Sequence, residues 1–344
     1  MALSATTTPS KPLPDRAMIE SLRACGLLSD VASAKFEALT GGVSSDIWRI
    51  EADGRVFCVK RALAKLKVKA DWFAPIERNR HEVAWYQIAN EIVPGAAPRI
   101  LAHDETAMMC AMEFLDPEVH KLWKSELRDG RADATQAALA GVMLGKIHSG
   151  SAGRKDIARR FPLVDIFHAI RLEPYLEATA ARHPDLKEQL FALSRRTAAT
   201  KLVMIHGDVS PKNILLGPSA PVFLDAECAC IGDPAFDIAF CLNHFLLKCL
   251  WRPAARDDFI ACFRAMALGY LAQVDWEPVQ QLEARAASLL PGLFLARVDG
   301  KSPAEYVTEE QDKEHIRHCA RALLFNPPTR LSAVADAWVK ELSA

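Results

Sequence analysis

Three polar residues, held at fixed intervals between short apolar runs, restrict what this chain can fold into. His206-Gly207-Asp208-Val209-Ser210-Pro211-Lys212-Asn213 lies between the runs Leu202–His206 and Ile214–Leu216, and Val222–Asp225 follows. Asn213 comes five residues after Asp208, and Asp225 twelve after Asn213. Apolar runs this short, bounded by turn residues, read as strands. A hairpin of such strands brings Asp208, Asn213 and Asp225 to the same end of a small sheet. The surrounding segments Thr135–His148, Val164–Ala181, Leu186–Thr197, Pro234–Leu250, Asp257–Leu271 and Val279–Ala296 read as helices. The second contains Pro174, which lacks an N–H and clashes with the preceding turn, so a kink or split is expected there.

The first third has a different pattern. Lys35–Leu39, Ile47–Glu51, Val56–Lys60, Arg99–His103 and Ala107–Phe114 read as five strands, and Ile76–Ile92 as one helix stopped by Pro94-Gly95. Asp53-Gly54 between the second and third runs is a strong hairpin signal. The pattern changes near residue 116. The expectation is an α+β chain with a tail and a leading helix over 1–30, a small lobe over 31–115 and a mostly helical lobe over 116–344.

The order aspartate, asparagine, aspartate suits phosphoryl transfer. One aspartate faces the acceptor hydroxyl, while the asparagine and the second aspartate hold magnesium against the phosphates. A polar turn and a strand-end aspartate would explain each fragment singly, but not their joint order. Leu224-Asp225-Ala226-Glu227 is followed by Gly232-Asp233-Pro234-Ala235-Phe236-Asp237-Ile238-Ala239. With these pieces in order, the chain resembles the aminoglycoside phosphotransferase and choline kinase family, a branch of the protein-kinase-like fold, over roughly residues 35 to 245. The resemblance implies a two-lobed fold using ATP and Mg2+. Asp208 would be the catalytic aspartate, Asn213 and Asp225 the magnesium ligands, and Glu227 a contributor to a second metal position. His206, Asp233 and Asp237 would support the loop.

A lobe of this kind needs a lysine on its third strand and a helix glutamate to position it. Lys60 ends the third run. Glu82 follows in the helix, with Glu77 as a rival; the setting Arg80-His81-Glu82 favours Glu82. Gly41, Gly42 and Ser44 would form the nucleotide loop, where glycines let backbone amides approach phosphate. Glu113 and Leu115, at the end of the fifth strand, would take the hinge position beside adenine.

The acceptor is less constrained. Arg171, Arg182 and the segment Arg297-Val298-Asp299-Gly300-Lys301-Ser302-Pro303 supply cations in the helical lobe, with Arg297 and Lys301 as candidate substrate residues. The stretch Arg61–Pro75, the stretch Lys124–Gly130 and the Asp225-x-Glu227 pair are similar to methylthioribose kinase. That family has serine where Asn213 stands and histidine where Ser210 stands, so methylthioribose itself is not assigned. A small molecule bearing a hydroxyl is expected: a sugar, polyol or amino alcohol. An aminoglycoside 3'-type acceptor and a non-catalytic nucleotide-binding relative are the other readings. A protein kinase is disfavoured, because only seven residues separate Asp225 from Asp233 and leave little room for a peptide platform.

The composition argues against other classes. The formal net charge is −1, so nothing suggests a nucleic-acid partner. No apolar stretch is long enough for a bilayer, and Met1–Asp15 lacks the apolar core of a secretory leader. Nine cysteines without a CxxC pair suit reduced, buried thiols and a cytoplasmic location.

Overall fold

A computed structural model describes residues 13–39, 44–65, 74–162 and 165–343. The chain divides into two compact units, Met1–Val83 with Arg99–Phe114, and Ala84–Pro98 with Leu115–Ala344.

The first unit is built on a five-stranded antiparallel sheet in the order β1-β2-β3-β5-β4. Its strands are β1 (Lys35–Ala38), β2 (Ser45–Ala52), β3 (Arg55–Ala62), β4 (Ile100–Asp104) and β5 (Met109–Glu113). Asp53 and Gly54 both have positive φ, 51° and 70°, the backbone a tight twisted hairpin requires. Helix α1 (Arg16–Ala24) is capped by the Asp15 carboxylate, which accepts from the Met18 N–H. Its Met18 and Leu22 join Phe36, Ile50, Phe57, Val59, Met109 and Ala111 in one apolar core. Arg78 opens helix α2 (Arg78–Ile92) and is fully buried. Its guanidinium donates to the carbonyls of Ser44, Leu63, Ala74 and Pro75, tying three segments of backbone together.

The second unit is mostly helical. Its long helices are α4 (Ala134–Ser151), α8 (Lys187–Ala199), α9 (Pro234–Trp251), α10 (Arg256–Leu271), α11 (Val279–Asp299), α12 (Glu310–Phe325) and α13 (Leu331–Glu341); α3 (Trp123–Arg128), α5 (Lys155–Ala158), α6 (Asp165–Phe167) and α7 (Ala178–Arg182) are short. Helices α4 and α10 approach closely because glycine leaves room. A Cβ on Gly141 would lie 2.3 Å from the Met266 carbonyl oxygen. Two small sheets sit among the helices. Strand β7 (Val203–Ile205) pairs with β10 (Cys230–Gly232), and β8 (Ile214–Leu216) lies between β6 (Lys121–Leu122) and β9 (Pro221–Phe223).

The helix expected to kink or split at Pro174 is not split there. Between α6 and α7 the chain continues as a wider π-helical winding over His168–Glu177. In an α-helix residue 174 would donate to the Ile170 carbonyl, which proline cannot do. That carbonyl accepts instead from Arg171 Nη1 at 2.6 Å. Such windings occur at functional sites, where they re-aim side chains.

Candidate active site

The loop after β7 turns at Gly207, with φ +77°. A Cβ there would lie 2.8 Å from both the Cβ and the carbonyl oxygen of Cys228, so glycine is needed for conformation and for space. The loop is held from α9. Asp233 caps that helix by accepting from the Ala235 N–H, with Pro234 at its first position. One turn on, the buried Asp237 carboxylate accepts from the backbone N–H of His206 at 2.6 Å and of Gly207 at 2.8 Å. His148 from α4 meets the same carboxylate through Nε2 and Tyr270 through Nδ1. Asp233 is anchored in turn by Arg285. Burial raises the Asp233 carboxyl, with Arg285 opposing.

His206 knits the loop internally. Its Nε2 bonds the Leu224 carbonyl at 3.0 Å and its Nδ1 accepts from the Asp208 N–H. Burial lowers its pKa, so the imidazole is neutral, with its proton on Nε2. Both nitrogens are engaged, and the ring packs edge-on against Trp85.

Asp208 is buried, and three side chains meet its carboxylate. Asn213 Nδ2 donates to Oδ2 at 2.8 Å, Arg171 Nη2 lies 2.7 Å from the same oxygen, and Lys212 Nζ lies 3.1 Å away. Burial acts to raise its pKa, but Arg171 and Lys212 outweigh it and leave the carboxyl below its ordinary value. Arg171 also donates through Nε to the Gly207 carbonyl. The Pro174 winding thus delivers a guanidinium to the loop.

Asp225 follows β9 with φ +63°, a left-handed conformation that aspartate tolerates better than most residues. Its N–H donates to Tyr86 Oη at 2.7 Å. Leu224 N–H donates to the Asn213 carbonyl, so the loop of Asp208 and Asn213 and the strand end at Asp225 are hydrogen-bonded neighbours. Glu227 is buried two residues on.

In the first unit, Lys60 Nζ and Glu82 Oε1 form a buried ion pair at 2.7 Å. Ser44 is buried, and its carbonyl accepts from Arg78. Glu113 accepts from the Arg99 N–H through Oε1. Gly41 and Gly42 lie outside the described residues, and Leu115 follows in the second unit. Of the two candidate substrate cations, Arg297 lines a cavity with Asp208 and Lys212, whereas Lys301 is exposed and pairs with Glu173. Sequence reasoning did not connect Arg171 to Asp208, and it missed Arg78, His148 and Lys248. Arg171 was visible only as a cation in a proline-bearing helix.

The sequence profile of the phosphotransferase enzyme family matches residues 35–282. No curated protein matches the chain by sequence. Among solved structures, the amicoumacin kinase hAmiN, in complex with AMP-PNP, Ca2+ and Ami, aligns over 92% of this chain and 95% of its own, at 12% identity and a TM-score of 0.54. An ethanolamine kinase from Plasmodium vivax aligns over 86% of this chain and 84% of its own, at 15% identity and a TM-score of 0.52. A choline kinase from Cryptosporidium parvum Iowa II aligns over 95% and 94%, at 14% identity and a TM-score of 0.51.

Proposed function

The chain belongs to the phosphotransferase enzyme family, and from that premise we propose that it transfers the γ-phosphoryl group of ATP to a hydroxyl of a small sugar- or polyol-like molecule. One observation carries the reading. Asp208 is a buried carboxylate on a braced loop, held by Asn213, Arg171 and Lys212 and open to a cavity. Such a group can accept a hydrogen bond from an acceptor hydroxyl and aim its oxygen at phosphorus.

The reaction forms a bond between the acceptor oxygen and the γ-phosphorus and breaks that phosphorus's bond to the bridging oxygen of ADP. The hydroxyl proton passes to Asp208 and then to solvent. The transition state for such transfers is loose, so the acceptor needs orientation more than a strong base. A carboxyl held below its ordinary value fits that role. Arg171 and Lys212 offset negative charge beside the transferring group.

The donor set suits magnesium. Asn213 commits its amide nitrogen to Asp208, leaving its oxygen as the metal-capable atom, and Asp225 and Glu227 add carboxylates. Hard oxygen donors in this small number, with phosphates and water completing the shell, match Mg2+. When bound, the ion supplies positive charge against the phosphates. On this reading residues 31–115 hold the nucleotide, through Gly41, Gly42, Ser44, Lys60, Glu82, Glu113 and Leu115, and residues 116–344 carry the catalytic and acceptor groups. The nine free cysteines support a reducing, cytoplasmic setting.

An ATP-consumption screen over sugars, polyols, amino alcohols and aminoglycosides with magnesium tests the reading. Turnover with an acceptor, abolished by Asp208→Asn, supports it. ATP binding without consumption on any acceptor would favour a non-catalytic nucleotide-binding protein. Unchanged ATP affinity in Lys60→Ala combined with Asp225→Ala would remove the nucleotide assignment.

A further inference from the structure

Beside Asp208 lies a cavity of about 170 Å³. Drug-sized ligands occupy roughly 300–1,000 Å³, so this space suits a small acceptor. Its charges do not balance. Asp208 is matched by Arg171 and Lys212, and Glu305 by Lys124. Two further cations, Lys248 and Arg297, line the same cavity, and among the described residues neither has a carboxylate at ion-pair distance.

Lys248 lies on the core helix α9 and is 1% exposed. Its ammonium lies 4.9 Å from the Tyr306 centroid and 5.1 Å from that of Trp251, two rings that stack on each other. Arg297 donates through Nη1 to Tyr175 Oη and to Ser302, while its buried Nε has no partner among the described residues. The hydroxyl of Tyr306 is likewise buried without a partner among the described residues. Burying charge and donors this way is unfavourable unless something supplies counter-charge and acceptors. A quaternary ammonium or a polyamine would set a further positive charge beside Lys248 and Arg297 with no anion to match it. A neutral polyol would leave both unmatched.

We propose that the acceptor is a small hydroxylated anion, a sugar acid or a sugar phosphate, whose carboxylate or phosphate seats against Lys248 and Arg297 while a hydroxyl faces Asp208. The inference rests on the phosphotransferase reading above and narrows its substrate class. Proton linkage supplies a second signature. Burial and the nearby cations Lys124 and Arg297, against Glu305 and Cys241, bring Lys248 to about 7. His244, also on the cavity, is held neutral by burial and by the same cations. An anion at Lys248 restores its proton, so binding near neutral pH takes up protons.

The test measures ATP consumption and direct binding in parallel, using glycerate and gluconate, glycerol phosphate and glucose phosphate, glycerol and sorbitol, ethanolamine and choline. The expected result is that one anionic class exceeds its neutral counterparts by about tenfold or more in kcat/KM, a tenfold ratio being about 1.4 kcal/mol. The carboxylate and phosphate arms identify the anion. Calorimetry in buffers of different ionisation enthalpy should show proton uptake with the anion and none with the polyol. Lys248→Met should shrink the anion preference by about tenfold, and Lys248→Arg should restore it. A preference for neutral or cationic acceptors overturns the proposal, as does failure of every anion to bind. So does an anion preference that Lys248→Met leaves intact. If the methionine variant does not fold, the acceptor comparison on the unaltered protein still decides. Anion binding without ATP consumption would support the anion site and refute the phosphotransferase reading. Turnover of choline or ethanolamine alone would do the reverse.

Discussion

Asp237→Asn changes one atom in a buried side chain, and its effect can be worked out from the hydrogen bonds it makes. The carboxylate accepts from two backbone N–H groups, His206 through Oδ2 and Gly207 through Oδ1, and His148 Nε2 also reaches Oδ2. Asparagine has one acceptor oxygen. If that oxygen keeps His206 and His148, its amide nitrogen faces the Gly207 N–H, donor against donor. One buried N–H is then unsatisfied, at about 1–3 kcal/mol, and the surviving bonds lose charge assistance worth about another 1 kcal/mol. The sum, about 3 kcal/mol, is a large share of a typical total stability of roughly 5–15 kcal/mol. Denaturant unfolding followed by tryptophan fluorescence measures it, since Trp85, Trp123 and Trp338 are fully buried in the unit that holds Asp237. Turnover should fall with stability, because Asp208 follows directly on the two residues released. A variant within about 0.5 kcal/mol of the parent would refute the reasoning, since that is the range of surface substitutions.

Further outcomes follow from the same structure. Lys60→Met takes the ammonium away from the buried Glu82 carboxylate, so stability should drop by about 3–5 kcal/mol, and adding Glu82→Gln should recover most of it without restoring ATP affinity. Thermal unfolding and nucleotide titration separate the two effects. Gly207→Ala forces φ +77° on alanine and drives a Cβ into Cys228, so it should be destabilised by about 1–3 kcal/mol and lose turnover. Lys248 titrates at about 7 in the folded chain, below its unfolded value. The unfolded chain therefore binds the extra proton above neutrality, and Lys248 gives up its destabilising effect as pH rises from about 7 toward 10. Relative to Lys248→Met, the parent should gain stability across that window, by several kcal/mol at most. A flat difference would mean that the buried lysine is not titrating there.

Much of the architecture is legible in the sequence because local rules fix it. The Asp53-Gly54 hairpin, the five apolar runs of the first unit and the aspartate-proline start of α9 are written in neighbouring residues. The resulting α+β arrangement, a five-stranded sheet with a larger helical part, is the protein-kinase-like fold that the motif order implied. Other features depend on contacts between residues far apart in the chain. Arg171 reaches Asp208 from the winding through Pro174, and proline alone predicts a kink or split without specifying a π-helical turn. Lys248 reads in sequence as one charge inside an apolar helix. Only the packing shows that its ammonium lies beside the stacked rings of Trp251 and Tyr306 at the cavity. The strands β6 and β10 are too short for their residues to signal them, and backbone pairing alone defines them.

The most direct measurement is acceptor-dependent ATP turnover by Asp208→Asn beside the parent, with ATP binding and unfolding followed on the same samples. Asparagine is isosteric but cannot take a proton or hold Arg171 and Lys212 as a carboxylate does. Turnover should fall by about 10²-fold or more, the scale of a positioned acid–base group, while ATP still binds and the chain stays folded. Turnover that survives the change with the same acceptor would contradict the assignment of Asp208 as the group that receives the hydroxyl.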